Sequence, residues 1–282
     1  MIRITLIISA VFLNCTFFGL APAAASASED DVRLYVFDCG MIGAEDISMF
    51  NLSNDEMPVR ELFVPCYLIE HPEGRMIWDA GLPLAMAGQG RIEEDGGVYM
   101  TYERSLLEQL ADMDLEPADI DLVAFSHMHY DHVGAANAFT ESTLLIQDTE
   151  HAAAFINVTN PVFQPDLYMD LKDSEMEMLS GDHDVFGDGR VMIISAPGHT
   201  PGHQVLLLRL ANAGPLVLSG DLYHFQMSRK LRRAPTFNTD AEETFRSMEK
   251  VEALIEAEGA TLWIEHEKAL ADTLKMAPAY YD

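Results

Sequence analysis

Basic residues are scarce in this 282-residue chain: 17 Lys and Arg stand against 46 Asp and Glu, for a formal charge of −29. Such a surface repels phosphate backbones, and the densest basic group, Arg229, Lys230, Arg232 and Arg233, is too small for a nucleic-acid site, so nucleic acid is excluded as a partner. Cysteine is scarcer still, at three. Cys15 falls in an N-terminal segment treated below, which leaves Cys39 and Cys66. Two cysteines make no disulfide framework, and the reading favours buried thiols over a single bridge between them. Nor does any apolar run reach, uninterrupted, the ~20 residues that a spanning helix needs. The run over residues 4–20 is broken by Thr5, Ser9, Asn14 and Thr16. It follows Arg3 and precedes small residues with overlapping Ala-x-Ala sites. These features predict a secretory signal peptide over residues 1–27, cleaved near Ala25 or Ala27. The expected product is exported, periplasmic or secreted, spans residues 28–282, and keeps no stable membrane anchor after cleavage.

What is present is a globular composition, 49% hydrophobic. Short apolar runs of strand type occur at 33–37, 63–70, 75–79, 122–126, 143–147, 191–195, 204–210, 216–219 and 261–265. They alternate with helical patterns at 102–112, 149–156 and 241–258. In the last of these Phe245, Met248, Val251, Leu254 and Ile255 form an apolar stripe between charges, which is core packing. Two stretches, 83–100 and 157–184, are richer in Gly, Asp and polar residues and read as long loops. Their apolar residues Met86, Tyr99, Met100, Phe163, Leu167, Tyr168 and Met169, with Phe225 and Met227, are candidates to line a channel for an apolar substrate tail.

The chemistry concentrates in Ser126-His127-Met128-His129-Tyr130-Asp131-His132, directly after a strand. Three imidazoles and a carboxylate within six residues are hard to explain by packing. Alternate positions on a turn leaving a strand can point His127 and His129 at one metal, while Asp131 and His132 face a neighbour. Imidazole and carboxylate without thiolate suit Zn²⁺, with Mn²⁺ or Fe²⁺ as other divalent occupants. His199 lies in the Pro/Gly-rich turn 196–203, again after a strand; Asp221 and His266 follow two more strands. Four strand ends therefore deliver ligand chemistry to one edge, where α/β folds place their sites. His203 reads as a supporting residue, and His71, His151 and His183 lack a motif context.

These residues resemble the metallo-β-lactamase-fold superfamily, whose HxHxDH signature is matched by His127 to His132, followed by His199, Asp221 and His266. The resemblance covers nearly all of residues 28–282 and implies an α/β, four-layer αβ/βα sandwich with two Zn²⁺ per chain. By the family pattern His127, His129 and His199 hold one metal, Asp131, His132 and His266 the other, and Asp221 bridges them. The stretch Arg33-Leu-Tyr-Val-Phe-Asp-Cys-Gly40, the Ile77-Trp-Asp-Ala-Gly81 strand end and the ligand spacing most resemble the N-acyl homoserine lactonases. True metallo-β-lactamases place Cys or Ser where Asp221 stands. Glyoxalase II members add basic residues for glutathione that are missing here, and nuclease members need a phosphate-binding surface.

The resemblance therefore implies a carboxylic ester hydrolase that opens the lactone ring of N-acyl homoserine lactones, a quorum-quenching activity. A hydroxide bridging the metals would attack the carbonyl, and Asp131 would protonate the leaving oxygen. The alternatives are a hydrolase of the same fold acting on another lactone, ester or thioester, or a non-catalytic metal-binding module. One departure stands out. The lactonases carry a tyrosine three residues after the bridging aspartate; here that position is His224, and Tyr223 comes one step earlier. In an extended segment a one-residue shift turns Tyr223 to the opposite side. The carbonyl-contacting role then falls to His224, and to Tyr223 only if the turn is irregular.

Overall fold

The computed structural model describes residues 31–159 and 162–282; the expected signal peptide, with Cys15, lies outside the described residues. The first sheet holds β1 (Arg33–Ala44), β2 (Glu61–His71), β3 (Gly74–Ala80), β4 (Ile92–Glu94), β5 (Val98–Thr101), β6 (Leu122–Ala124), β7 (Thr143–Gln147) and β8 (Met176–Leu179), in the order β4-β5-β1-β2-β3-β6-β7-β8. The strands from β3 to β8 along that order run parallel and the others antiparallel. The second sheet holds β9 (His183–Asp184), β10 (Val191–Ser195), β11 (Gln204–Leu210), β12 (Gly214–Leu218) and β13 (Thr261–Trp263), in the order β13-β12-β11-β10-β9. A last short strand, β14 (Tyr280–Tyr281), pairs with β1.

Strands buried on both faces read as continuous apolar runs, and their alternation assigns each residue to a layer. Along β11, Leu206 and Leu208 join Val36, Trp78 and Ala124 in the core between the sheets. Val205 and Leu207 point the other way, onto Met248 and Val251 of the 18-residue helix Ala241–Glu258. That helix starts where the Asp240 carboxylate accepts from the Glu243 N–H and stops at Gly259 in the left-handed region (φ 63°). Tyr35, Phe37 and Ile77 face outward from the first sheet, under Leu106, Leu110 and Phe139. The result is the expected four-layer αβ/βα sandwich.

Local extents differ from expectation for identifiable reasons. The first strand continues seven residues beyond Phe37, past an irregularity between Asp38 and Met41, and its far end recruits the β4–β5 hairpin. The stretch 83–100 is therefore partly a sheet edge. The helix expected at 102–112 spans only Leu106–Ala111, because Ser105 and Glu108 form a capping box that sets its start. The cysteine expectation is corrected outright: Cys39 and Cys66 are bridged, 27 residues apart in sequence and on neighbouring strands. A pairing of two strands distant in sequence has no signature in the spacing of two cysteines.

Candidate metal centre

Four turns at one edge of the sandwich carry the ligand-type side chains: those after β6, β10, β12 and β13. His199 Nε2 lies 3.1 Å from His127 Nε2 and 3.1 Å from His129 Nδ1. Asp221 stands between this group and a second one, and each of its oxygens faces one side. Its Oδ2 is 3.0 Å from His199 Nε2 and 3.6 Å from His127 Nε2. Its Oδ1 is 2.9 Å from His266 Nε2 and 3.3 Å from His132 Nε2. Asp131 Oδ2 completes the second group at 3.8 Å from His132 Nε2 and 3.9 Å from His266 Nε2. The structure thus gathers all seven side chains into two clusters, His127, His129, His199 and Asp221, and Asp131, His132 and His266.

Tautomers and charge both fit this donor set to two cations. The Nδ1 atoms of His199, His132 and His266 face acceptors: Asn238 Oδ1 at 2.9 Å, Asp79 Oδ2 at 2.8 Å and the Phe63 carbonyl at 2.7 Å. With those protons on Nδ1, each Nε2 is the atom that faces the cluster centre, offering a lone pair to a cation wherever it does not itself hold a proton. His132 Nε2, His266 Nε2 and Asp221 Oδ1 are buried and converge on one another without well-aligned hydrogen bonds, the pattern of atoms shaped for metal coordination. Burial, reinforced by the neighbouring imidazoles, drives His127 and His129 well below the usual histidine range, toward the neutral ligand form. The second cluster favours positive charge. Burial opposes a charged His266, yet Asp221 outweighs it and raises the ring to about 9. At His132 burial is likewise overridden, by Asp79, Asp221 and Asp131. The clusters suit a dinuclear metal site.

Several buried groups that carried no role in the sequence reading build the frame around the ligands. Asp79, the penultimate residue of β3, lies in the left-handed region (φ 57°), where Oδ1 accepts from the Ser126 N–H at 2.6 Å and Oδ2 faces His132. Its visible signals were a carboxylate near the end of an apolar strand and its place in the Ile77-Trp-Asp-Ala-Gly81 stretch. Glu265 accepts from the Gly220 N–H at 2.8 Å, and burial beside Asp79 pushes its carboxyl up to about 8. His203 is a support, as expected: its Nδ1 faces the Ala196 carbonyl at 2.9 Å and its Nε2 accepts from the Asp221 N–H at 2.9 Å. His71, His151 and His183 lie elsewhere, beside Asp188, Phe155 and Glu177 respectively.

His224 and Tyr223 part company. The backbone at Tyr223 is extended (φ −140°, ψ 133°), so the two side chains face opposite ways. His224 is buried with Nε2 3.0 Å from Asp221 Oδ2, and its ring packs 4.8 Å from that of Phe50. The Tyr223 hydroxyl instead donates to Glu252 Oε1 at 2.8 Å, under the long helix and away from the clusters.

A cavity of about 260 Å³ opens on the centre. His129, Asp131, Asp221, His224 and His266 form its polar floor, and Ile42, Met49, Phe50, Leu62, Val98 and Phe237 its apolar wall. The wall is not made of the expected channel residues. Met100, Phe163, Tyr168 and Phe225 are buried in the core, Phe225 edge-on behind Phe50. Met86, Leu167, Met169 and Met227 pack against the same core, and the Tyr99 hydroxyl donates to Glu61.

Comparisons with known proteins agree with this geometry. A family model described as the metallo-beta-lactamase superfamily matches residues 59–256. The N-acyl homoserine lactonase AttM of Azorhizobium caulinodans is 31% identical over 265 residues, covering 89% of this chain and 99% of its own length. AiiA of Bacillus thuringiensis subsp. kurstaki, also an N-acyl homoserine lactonase, is 26% identical over 224 residues, or 76% of this chain and 85% of AiiA. Among solved structures, an N-acyl homoserine lactone hydrolase with N-hexanoyl-L-homoserine bound at its catalytic metal centre superposes with a TM-score of 0.76 at 23% identity, over 88% of this chain and 98% of that one. The chain belongs to the metallo-β-lactamase superfamily and, within it, to the N-acyl homoserine lactonase family of metal-dependent hydrolases.

Proposed function

We propose that the protein is an exported dinuclear-zinc hydrolase that opens the lactone ring of N-acyl homoserine lactones. The observation that carries this reading is the cavity, polar only at its floor and apolar at its wall. A ligand that fills it needs one electrophilic, oxygen-rich end and an apolar remainder, which describes an acylated lactone. The ligand set holds imidazole and carboxylate without thiolate, which suits zinc. His127, His129 and His199 would hold one ion and Asp131, His132 and His266 the other, with Asp221 shared.

When bound, the two cations lower the pKa of a water and polarise an ester carbonyl. The chain does the rest. Asp221, fixed through its own N–H by His203, keeps the two clusters in register. His224, wedged against Phe50 with its Nε2 3.0 Å from Asp221 Oδ2, would turn that single N–H to the lactone carbonyl oxygen once Asp221 is engaged by the cations. Asp131 lines the floor and takes the proton that water releases as it adds to the carbonyl. The ring C–O bond then breaks, and Asp131 returns that proton to the departing oxygen, giving the N-acyl homoserine. Export rests on the segment 1–27, with residues 28–282 as the single hydrolase domain. A disulfide suits an oxidising compartment.

The test is ring opening by metal-loaded protein on N-acyl homoserine lactones of graded chain length, followed by proton release. The expected result is activity that is lost on chelation, returns with zinc and accompanies two metal equivalents per chain. Absence of ring opening across the whole series overturns the substrate reading. For export, the N-terminus of protein recovered outside the cytoplasm should follow Ala25 or Ala27.

A further inference from the structure

Glu150, in the short helix Asp148–His151, is buried and belongs to neither ligand cluster. Its Oε1 accepts from the Met128 N–H at 3.0 Å, and its Oε2 from the Gly202 N–H at 2.8 Å. Met128 lies between His127 and His129, and Gly202 lies three residues after His199. One carboxylate therefore ties together the two turns that carry the three imidazoles of the first cluster. The approach is close enough to dictate the residue opposite: a Cβ at position 202 would stand 2.5 Å from the Glu150 Cβ. The second cluster has a separate support in Asp79, which holds Ser126 N–H with one oxygen and His132 with the other.

We propose that Glu150 is the positioning residue of the first metal, and that the two metals are supported by two different buried carboxylates. The proposal rests on the dinuclear reading above. The two backbone partners of Glu150 are N–H donors, each satisfied by one carboxylate oxygen, and the Thr200 hydroxyl, in the same turn as Gly202, also bears on the carboxylate. An amide of the same shape offers one carbonyl oxygen and one NH₂, and sets donor against donor at one turn. Glu150→Gln therefore unfastens one turn with little change in volume, letting the His127 and His129 nitrogens, each now 3.1 Å from His199 Nε2, drift away from it.

The experiment is a zinc titration of chelated wild type, Glu150→Gln and Asp79→Asn against a chromophoric competitor, with circular dichroism as the check on folding. In Glu150→Gln one of the two binding steps should weaken by about 10- to 100-fold, the range for supports of metal ligands, while the other keeps its wild-type affinity. In Asp79→Asn the opposite step should weaken. Both steps unchanged in Glu150→Gln, or both weakened equally, overturns the proposal. Should Glu150→Gln fail to fold, Gly202→Ala displaces the same contact from the other side and is held to the same two outcomes. A wild type that never takes up two equivalents sinks the dinuclear reading instead, so the two failures are distinguishable.

Discussion

Asn238 holds His199 by its Nδ1 at 2.9 Å, and its neighbour in sequence, Phe237, forms part of the cavity wall. The amide is itself oriented: its Nδ2 donates to Thr244 Oγ1 at 2.9 Å, which leaves Oδ1 facing the imidazole as an acceptor. The segment is pinned further by the Thr239 N–H on the His199 carbonyl and by the Asp240 N–H on the Gly198 carbonyl. One short stretch before the long helix thus sets both a ligand tautomer and the shape of the substrate space.

Asn238→Ala removes the acceptor on His199 and leaves the ring free to rotate and to change tautomer. Metal affinity should fall about 10- to 100-fold, with kcat of the fully loaded enzyme changing much less. Competition with a chromophoric chelator reads the affinity. Unchanged affinity would show that the turn alone orients His199.

His224 and Tyr223 should separate in the same way that their side chains do. His224→Phe keeps the ring volume against Phe50 and Phe237, so both metals should remain bound. Turnover should drop about 10²- to 10³-fold, as when a carbonyl-oxygen donor is lost. Tyr223→Phe loses only the bond to Glu252, at a cost of about 1 kcal/mol in stability, and should leave turnover unchanged. Asp221→Ala should abolish metal uptake and activity together. Equal metal loss in the Asp221 and His224 variants would contradict the division of labour.

The seven ligand-type residues were legible because four of them crowd into six positions at a strand mouth, and no packing argument accounts for that. The turn of Tyr223 away from the centre was legible from strand geometry alone. What stayed hidden depends on approach in three dimensions. Glu150 reads as one polar face of a short helix, and Asn238 as one residue among loop polars. The cavity wall was misplaced because it is built by the far end of β1, the turn before β2 and the β4–β5 hairpin. The continuation of β1 past its irregularity, which recruits that hairpin, is a matter of tertiary pairing.

The Cys39–Cys66 bridge sits directly behind the second cluster. Gly81 packs on it, since a Cβ at 81 would lie 2.3 Å from the Cys39 Cβ, and the Leu82 N–H donates to the Cys39 carbonyl at 3.3 Å. One residue back, the Ala80 N–H donates to the His132 carbonyl at 2.7 Å. A Cys39→Ala, Cys66→Ala double variant should lose about 2 to 4 kcal/mol of stability by denaturant unfolding. Zinc affinity of the step that Asp79 supports should weaken with it. The denatured, unreduced wild type should show no reactive thiol at either position; titratable thiols there would remove the premise.

Far from the centre, at the opposite edge of the sandwich, Asp188 fastens the two sheets together. Its Oδ2 lies 3.0 Å from Nε2 of His71, the last residue of β2, and accepts from Arg190 Nε at 2.6 Å, while Phe186 stacks on the His71 ring. Partial burial pushes the carboxyl up, but the Arg190 backbone and guanidinium and His71 outweigh it and bring it down to about 2. An unfolded aspartate titrates near 3.8, so on acidification the unfolded chain takes this proton first. The contribution is therefore complete above the unfolded value and disappears as pH falls from there through about 2. Because the carboxylate is partly exposed, its size should stay within about 1 kcal/mol. Comparing denaturant midpoints of wild type and Asp188→Asn at several pH values isolates it, since acid loss of metal is common to both proteins and cancels in the difference. The gap should be constant near neutrality and close across that acid window; a gap that persists unchanged to the bottom of the window would mean that Asp188 acts through shape and not through charge.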